Sequence, residues 1–180
     1  MAARGYGVFD TAIGACGIAW SDGAIVACQL PEEDRAATLR RMARRHPECT
    51  EDAPPVWVAV VIARVQALLE GASDDLADVM LDMQEQPVFN RRVYEVTRAI
   101  PPGRTLTYGE VAQKIGEPGS ARAVGQALGH NPFAPIVPCH RVLGAGNSGV
   151  GFSANGGVDT KLKMLEIERA QLGAQPGLFD

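Results

Sequence analysis

The sequence predicts an α/β domain over residues 1–85, followed by a mainly α domain with a helix-turn-helix over residues 86–180. Two patterns predict this arrangement. The first 30 residues consist of short apolar runs that alternate and break like β-strands. Residues 107–129 hold two short helical patterns that are joined by a glycine-containing turn. With 180 residues and 46% hydrophobic composition, the chain is long enough to bury a substantial core.

A change of charge along the chain also indicates two modules. Residues 1–89 carry 7 lysines and arginines against 14 aspartates and glutamates, whereas residues 90–169 carry 10 against 6. The net charge of the whole chain is −4. Of the two halves, only the second is therefore suited to bind phosphate.

The N-terminal half begins with strands. Three apolar runs fill residues 6–30, and Asp22-Gly23 predicts a hairpin turn between the last two. An amphipathic helix follows over residues 32–45, with Leu39 and Met42 facing inward.

The next segments are a loop, a helix and a connection. Residues 46–55 are rich in proline and acidic side chains and predict a loop. Residues 56–71 predict a helix that ends at Gly71, although their β-branched start also allows a strand. Three apolar side chains form one stripe on this helix: Val61, Val65 and Leu68. Residues 72–86 are acidic and predict a linking loop or a short strand.

The second half contains the helix-turn-helix. A helix over residues 88–99 ends at a Pro-Pro-Gly sequence. Thr107 is expected to cap a helix over residues 108–115, with Glu110 in the capping-box position. After a Gly-Glu-Pro-Gly turn, Ser120 is expected to cap the second helix, over residues 121–129.

The second helix consists of small residues and one long charged side chain, Arg122. Such a helix can pack tightly against another helix, or it can enter a groove of nucleic acid. A helix that reads bases in the major groove normally carries several Arg, Asn and Gln side chains. This composition instead favours a minor-groove approach, in which one inserted side chain replaces a displaced base. The small residues are Ala121, Ala123, Gly125 and Ala127.

The segment NPFAPIVPCHRVLG, residues 131–144, suggests a reactive cysteine. Its three prolines exclude a helix and fix the backbone ahead of Cys139. A buried structural cysteine is the alternative, and Ile136 and Val137 are expected to be buried in either case. His140 does not face its neighbour along an extended chain. It could act through one water molecule, with Glu166 or Glu168 orienting its far nitrogen.

Other site classes have little support. The four cysteines form no CxxC pair and the three histidines are scattered, so neither a zinc site nor a disulfide framework is expected. Cys16 and Cys28 are expected to be buried. The chain contains neither a long uncharged apolar run nor an apolar secretory core, so we expect a cytoplasmic protein.

Together, several motifs resemble the O6-alkylguanine-DNA alkyltransferase family over about residues 86–170. These motifs are TYGEVA, SARAVGQAL, Asn131, IVPCHRV, Phe152-Ser153, Gly156-Gly157, Lys161 and Glu168. The resemblance implies a ribonuclease-H-like N-terminal domain and a winged-helix-like C-terminal domain. It also implies a monomer that binds double-stranded DNA containing O6-alkylguanine through the minor groove, without a cofactor or metal.

The resemblance implies a role for each matching residue. Cys139 would accept the alkyl group, His140 would be the water-bridged base, and Glu168 would orient it. Tyr108 would donate a hydrogen bond to the leaving guanine, and Arg122 would fill the stack after the nucleotide flips. The DNA-facing surface would also include Thr107, Ser120, Ala121, Ala123 and Gly125. The substrate pocket would include Asn131, Val142, Phe152 and Ser153.

Three rival functions remain open at the level of sequence. A relative that only binds alkylated DNA would lack the cysteine that this chain has. A Cys-His hydrolase would need the base in direct reach and an oxyanion hole, which no motif marks. A helix-turn-helix regulator with a redox cysteine would bind a specific DNA sequence.

Overall fold

The computed structural model describes residues 2–145 and 156–170. The described residues form a mixed α/β structure with six α-helices and two small sheets. No helix among these residues is long and apolar enough to cross a membrane. The strands are β1 (Gly5–Thr11), β2 (Gly14–Trp20), β3 (Ile25–Gln29), β4 (Leu106–Thr107) and β5 (Val142–Leu143). The helices are α1 (Arg35–Arg45), α2 (Val56–Leu68), α3 (Val88–Arg98), α4 (Tyr108–Lys114), α5 (Ala121–Gly129) and α6 (Gly157–Ile167).

Strands β1, β2 and β3 form an antiparallel meander, as the apolar runs predict. The turn at Asp22-Gly23 is confirmed, and Ser21 N donates to Ala24 O across it at 2.9 Å. On β2, a Cβ atom added to Gly17 would lie 2.6 Å from the sulfur of Met42. The missing side chain at Gly17 therefore allows α1 to pack directly on the sheet.

Helix α1 begins three residues later than predicted. The Asp34 side chain accepts a hydrogen bond from Ala37 N at 2.7 Å, and this N-cap sets the start of the helix. Met42 is fully buried, as expected, and Leu39 is half-buried. A buried threonine, Thr38, shares this face and donates to Ala15 O.

The segment from Val56 is helical, so the strand alternative is wrong. The predicted stripe of Val61, Val65 and Leu68 is buried against the sheet, and Val58 joins it. Helix α2 ends at Leu68, three residues before Gly71. The length of the apolar run decides for a helix here, because it exceeds that of an ordinary strand.

The acidic connection after α2 forms no strand, but it runs along the edge of β3. Ile25 N donates to Met80 O at 2.8 Å, and Asp82 N donates to Ile25 O at 2.9 Å. Arg64 of α2 pairs with Asp74 and Asp78 of the connection. These contacts hold the connection against the sheet.

The helix-turn-helix is confirmed as α4 and α5, with α3 packed against both. The capping box of α4 is present, since Thr107 Oγ1 accepts from Glu110 N and Glu110 Oε1 accepts from Thr107 N. Ser120 occupies the N-cap of α5, but its side chain does not cap the helix. Its hydroxyl instead donates at 2.6 Å to Glu117 O, a carbonyl of the turn that precedes α5.

The proline segment connects the helical half of the chain to the N-terminal sheet. Cys28 N donates to Pro132 O at 2.8 Å, and Cys28 forms a parallel bridge with Phe133. Ile136 and Val137 are buried as expected, and Ile136 lies in the same core as the sheet. The backbone ahead of Cys139 is therefore anchored on β3.

The chain around Cys139 is not extended as the sequence argument assumed. Residues Cys139–Arg141 form one 3-10 turn, closed by a hydrogen bond from Arg141 N to Pro138 O at 2.9 Å. Strand β5 follows directly and pairs in parallel with β4. The segment that contains Cys139 is thus tied to the start of the helix-turn-helix.

Candidate functional site

Cys139 is half-buried, and it packs against both the core beneath the N-terminal sheet and the core formed by α3, α4 and α5. Burial raises the pKa of its thiol, while the Asn131 side chain and the charge of Lys161 act in the opposite direction. The net direction is upward, so the resting cysteine is a thiol at neutral pH. A reaction at this sulfur therefore needs a base that removes the proton during attack.

His140 and Glu168 form a buried pair. His140 Nε2 and Glu168 Oε1 are hydrogen-bonded, and the two side chains are 2% and 3% exposed. Glu166, the other candidate, is exposed to solvent. Of the two carboxylates that the sequence leaves open, Glu168 therefore is the one that faces His140.

The electrostatics of this pair define the state of the imidazole. Burial would raise the pKa of Glu168, but hydrogen bonds from His140 and Arg141 hold it below its usual range. Burial lowers the pKa of His140, although Glu168 acts against this shift. Near neutral pH, a neutral imidazole thus faces an ionised carboxylate.

A neutral imidazole beside a carboxylate has a defined tautomer. We assign the proton to Nε2, which donates to Glu168, and Nδ1 is then a hydrogen-bond acceptor. Nδ1 is buried and has no hydrogen-bond partner among residues 2–145 and 156–170. A buried acceptor without a partner is costly in a folded protein. This acceptor belongs to His140, which directly follows the half-buried Cys139.

Arg141 is a site residue that sequence reasoning missed. Its Nε donates to Glu168 Oε2 at 2.8 Å, one of its terminal nitrogens donates to Ile100 O at 2.7 Å, and the residue is 1% exposed. The position of Arg141 between apolar segments could have indicated this role. An arginine in such a place is expected to be buried, and a buried guanidinium requires a carboxylate partner. Arg141 therefore holds the same carboxylate that bonds to His140.

Lys161 is the second missed residue, although its position contributes to the family resemblance. It is fully buried, its Nζ donates to Val142 O at 2.7 Å, and it lies 5.8 Å from the centroid of the Tyr108 ring. Burial lowers its pKa to about 8, with Cys139 acting to raise it. One buried and mostly protonated amine thus contacts the carbonyl of Val142 and the ring of Tyr108, and it interacts electrostatically with Cys139.

Asn131 shapes the proline segment, and Val142 is buried behind it. The Asn131 amide nitrogen donates to Val137 O at 2.8 Å, and its oxygen accepts from Phe133 N at 2.9 Å. These two bonds close the turn that delivers Cys139. Phe152 and Ser153, the other predicted pocket residues, lie outside the described residues.

Four of the six predicted DNA-facing residues line one open cavity of about 610 Å³: Thr107, Ala121, Arg122 and Gly125. Arg122 is exposed on its wall, whereas Ala123 and Ser120 are half-buried and lie outside the lining. Burial raises the pKa of Tyr108, so its hydroxyl keeps its proton and can donate. The lining consists of Thr107, Tyr108, Gly109, Ala121, Arg122, Gly125, Gln126 and Ala145.

The described residues contain no group of three or more His, Cys, Asp or Glu side chains that could hold a metal ion. The reactive side-chain groups described at this site are the thiol of Cys139, the imidazole of His140, the amine of Lys161 and the phenol of Tyr108.

Comparison with known proteins links this geometry to a family. Residues 88–170 match the family model described as 6-O-methylguanine DNA methyltransferase, DNA binding domain. The methylated-DNA–protein-cysteine methyltransferase of Methanothermobacter thermautotrophicus is 32% identical over 159 residues, which cover 88% of this chain and 82% of that protein. The protein of the same name from Mycolicibacterium paratuberculosis is 48% identical over 103 residues. Those residues cover 57% of this chain and 61% of that relative, less than two thirds of its length.

Solved structures show the same fold. The Mycobacterium tuberculosis O6-methylguanine methyltransferase superposes with a TM-score of 0.74 at 35% identity, covering 98% of this chain and 99% of that one. A structure described as Mycobacterium tuberculosis OGT in complex with DNA has a TM-score of 0.75 at 35% identity, with 97% and 99% coverage.

Proposed function

Because the chain belongs to the family of methylated-DNA–protein-cysteine methyltransferases, we propose that it repairs DNA by transferring the alkyl group of O6-alkylguanine to Cys139. The observation that carries this proposal is the buried pair of His140 and Glu168, which leaves one imidazole nitrogen as an unpartnered acceptor next to a thiol. Such an acceptor can remove the thiol proton through one water molecule.

The transfer is a single displacement. The sulfur of Cys139 attacks the alkyl carbon while its proton passes through water to Nδ1 of His140, and Glu168 stabilises the imidazolium that forms. The bond between the alkyl carbon and guanine O6 breaks, and the guanine departs as an anion that a hydrogen bond from Tyr108 toward N3 stabilises. That anion takes up a proton from water, and the imidazolium of His140 returns its proton to water. The products are a thioether on Cys139 and an unmodified guanine. A thioether has no acidic proton and is a poor leaving group, so each molecule reacts once.

The target base has to leave the duplex before this attack. Extruding a nucleotide costs a few kcal/mol, because stacking and pairing are lost. The small residues of α5 would permit close approach to a minor groove, and Arg122, which lines the open cavity, would occupy the vacated space in the stack. Few base-edge contacts are needed, since repair has to act on the lesion in many sequences.

The finer architecture belongs to the same proposal. We infer that residues 1–85 form a supporting ribonuclease-H-like domain and that residues 86–180 form a winged-helix-like domain that binds DNA and carries the reaction. The protein would act as a cytoplasmic monomer, without a cofactor. The three-stranded meander with α1 packed on it and the pairing of β4 with β5 support this description.

A mass measurement tests the proposal. The protein is incubated with excess duplex DNA containing O6-methylguanine, and the intact protein and its peptides are weighed. We expect a gain of one methylene group on the peptide containing Cys139, and no gain in the Cys139→Ser variant. An unmodified Cys139 in the wild type would overturn the proposal and favour a protein that only binds DNA.

The same assay tests base flipping. Arg122→Ala should slow transfer from the duplex far more than transfer from free O6-methylguanine, because only the duplex has a stack to fill. Equal slowing of both reactions would reduce Arg122 to a structural role.

A further inference from the structure

Gln126 is an exposed side chain on the wall of the cavity and has no assigned role. It lies four residues after Arg122 on α5, and both residues line the same 610 Å³ cavity with Tyr108. Its backbone oxygen accepts from His130 within the helix end. Its carboxamide forms no hydrogen bond with any residue in the described parts of the chain, so it is available to a bound molecule.

The spacing places Gln126 near the base pairs that flank the lesion. Residues four apart on a helix lie on one face, about 6 Å apart along the axis. Base pairs stack about 3.4 Å apart. If α5 runs along the groove and Arg122 fills the stack at the flipped position, the Gln126 carboxamide is one or two base steps away.

The chemistry of the carboxamide matches one base in the minor groove. Every base pair presents the acceptors N3 or O2 there, but only guanine adds a donor, its N2 amino group. A glutamine side chain both donates and accepts, so it can donate to guanine N3 and accept from guanine N2 at once. At an A·T pair, its oxygen would be desolvated without a donor to replace water.

No other side chain of α5 on this wall offers the same readout. Ala121 and Gly125 carry no polar side-chain group, and Arg122 can only donate. The hydroxyl of Thr107 is already engaged by Glu110 N in the capping box.

From these observations we infer that Gln126 makes alkyl transfer depend on the sequence beside the lesion, with a G·C pair favoured over an A·T pair. The inference rests on the proposed function, and it adds a specificity-determining residue to that reaction.

Modified bases isolate the minor-groove donor. Single-turnover transfer to Cys139 is measured on duplexes that differ only in one pair, placed one or two steps from O6-methylguanine on either side. The pairs compared are G·C, inosine·C (guanine without the N2 amino group), A·T and 2,6-diaminopurine·T (adenine with that group). At one of these positions we expect the two pairs with the amino group to react roughly fivefold faster or more, since a bidentate base contact discriminates to this extent.

Two variants assign the effect to the side chain. In Gln126→Ala, the rate ratio between duplexes with and without the amino group should fall roughly fivefold from its wild-type value. Gln113→Ala removes an exposed glutamine of α4 that does not line the cavity, and it should keep the wild-type preference. Comparing the ratios of wild type and variant also cancels any difference in the intrinsic stability of the four duplexes.

Different results of this experiment would contradict the role of Gln126 and the proposed alkyl transfer to Cys139. Equal wild-type rates on all four duplexes would overturn the role of Gln126, as would a preference that survives in Gln126→Ala. A wild-type preference that does not follow the amino group would overturn the minor-groove readout. No transfer from any duplex would instead overturn the proposed function, and the inference with it.

Discussion

At the scale of single residues, the adjacent Cys139 and His140 have separate roles in the proposed reaction, and their side chains do not act as a direct pair. His140 is fixed through Nε2 by Glu168, which Arg141 holds in turn. The imidazole is therefore oriented by groups that do not touch the sulfur. In the proposed reaction its Nδ1 acceptor removes the proton of Cys139 through an intervening water molecule, and such a base is needed because burial raises the pKa of the thiol.

Lys161 gives a prediction at this scale. Its positive charge lowers the pKa of Cys139, so Lys161→Met should raise that pKa and slow alkylation of Cys139 by iodoacetamide. At pH 7 the thiolate fraction falls about tenfold for each unit of increase in pKa. The difference from wild type should shrink above pH 8, because Lys161 itself loses its proton around a pKa of about 8.

The rate is followed by peptide mass, so that the other three cysteines do not interfere. Lys163→Met serves as the control, since Lys163 is an exposed lysine on the same helix. Identical pH profiles for Lys161→Met and wild type would show that the amine does not act on the thiol.

The sequence predicts the chemical groups of the site better than their support. The nucleophile, the base and the pair of candidate carboxylates can be named from residue types and spacing. The choice of Glu168 needs either the resemblance or the structure, because Glu166 and Glu168 are two apart near a helix end and the apolar pattern does not orient them. Arg141 and Lys161 were missed because burial of a cation depends on partners distant in sequence, Ile100 and Val142 among them.

At the scale of elements, side-chain hydrogen bonds of Thr107 and Glu110 stabilise the start of α4, whereas the side chain of Ser120 makes no such bond at the start of α5. Sequence reasoning treats Thr107 and Ser120 alike, since both precede a helix and both are preferred N-cap residues. In the structure, Ser120 has a backbone φ of −106° and ψ of 24°, and its hydroxyl bonds to the preceding turn. Local propensity thus predicts where a helix begins more reliably than which bond stabilises that start.

This difference predicts unequal costs. Thr107→Ala removes the acceptor for Glu110 N and should lower the free energy of unfolding by about 1 kcal/mol. Ser120→Ala removes one solvent-exposed bond to Glu117 O and should cost less than about 0.5 kcal/mol. Urea unfolding of the two variants measures both values. Equal costs would contradict the assignment of the caps.

At the scale of the whole molecule, the N-terminal sheet supports the reactive segment directly. Cys28 on β3 bonds to Pro132, and Ala134, Ile136 and Met164 share a core with the sheet. The sequence predicts the strands and the proline segment separately. It does not predict that they pair, because the contact joins residues more than 100 positions apart and no periodicity records it.

The buried ionisable groups predict how stability depends on pH. Burial lowers the pKa of both His140 and His46, so the unfolded chain binds protons more readily than the folded one. The free energy of unfolding should therefore fall as the pH drops below about 6.5, by at most about 1.4 kcal/mol per pH unit for each histidine. Below about pH 4.5 the fall should steepen, because the pKa of Glu168 is also held low in the folded state.

Urea unfolding between pH 8 and pH 4 measures this dependence. His140→Gln should flatten the curve between pH 7 and pH 5, because a neutral amide at this position takes up no proton on unfolding. His130→Gln is the matched control, since His130 is exposed on the surface, and it should leave the wild-type slope in place. If His140→Gln retained that slope, His140 would bind protons equally in the folded and unfolded chains, and the lowered pKa of its buried imidazole would be wrong.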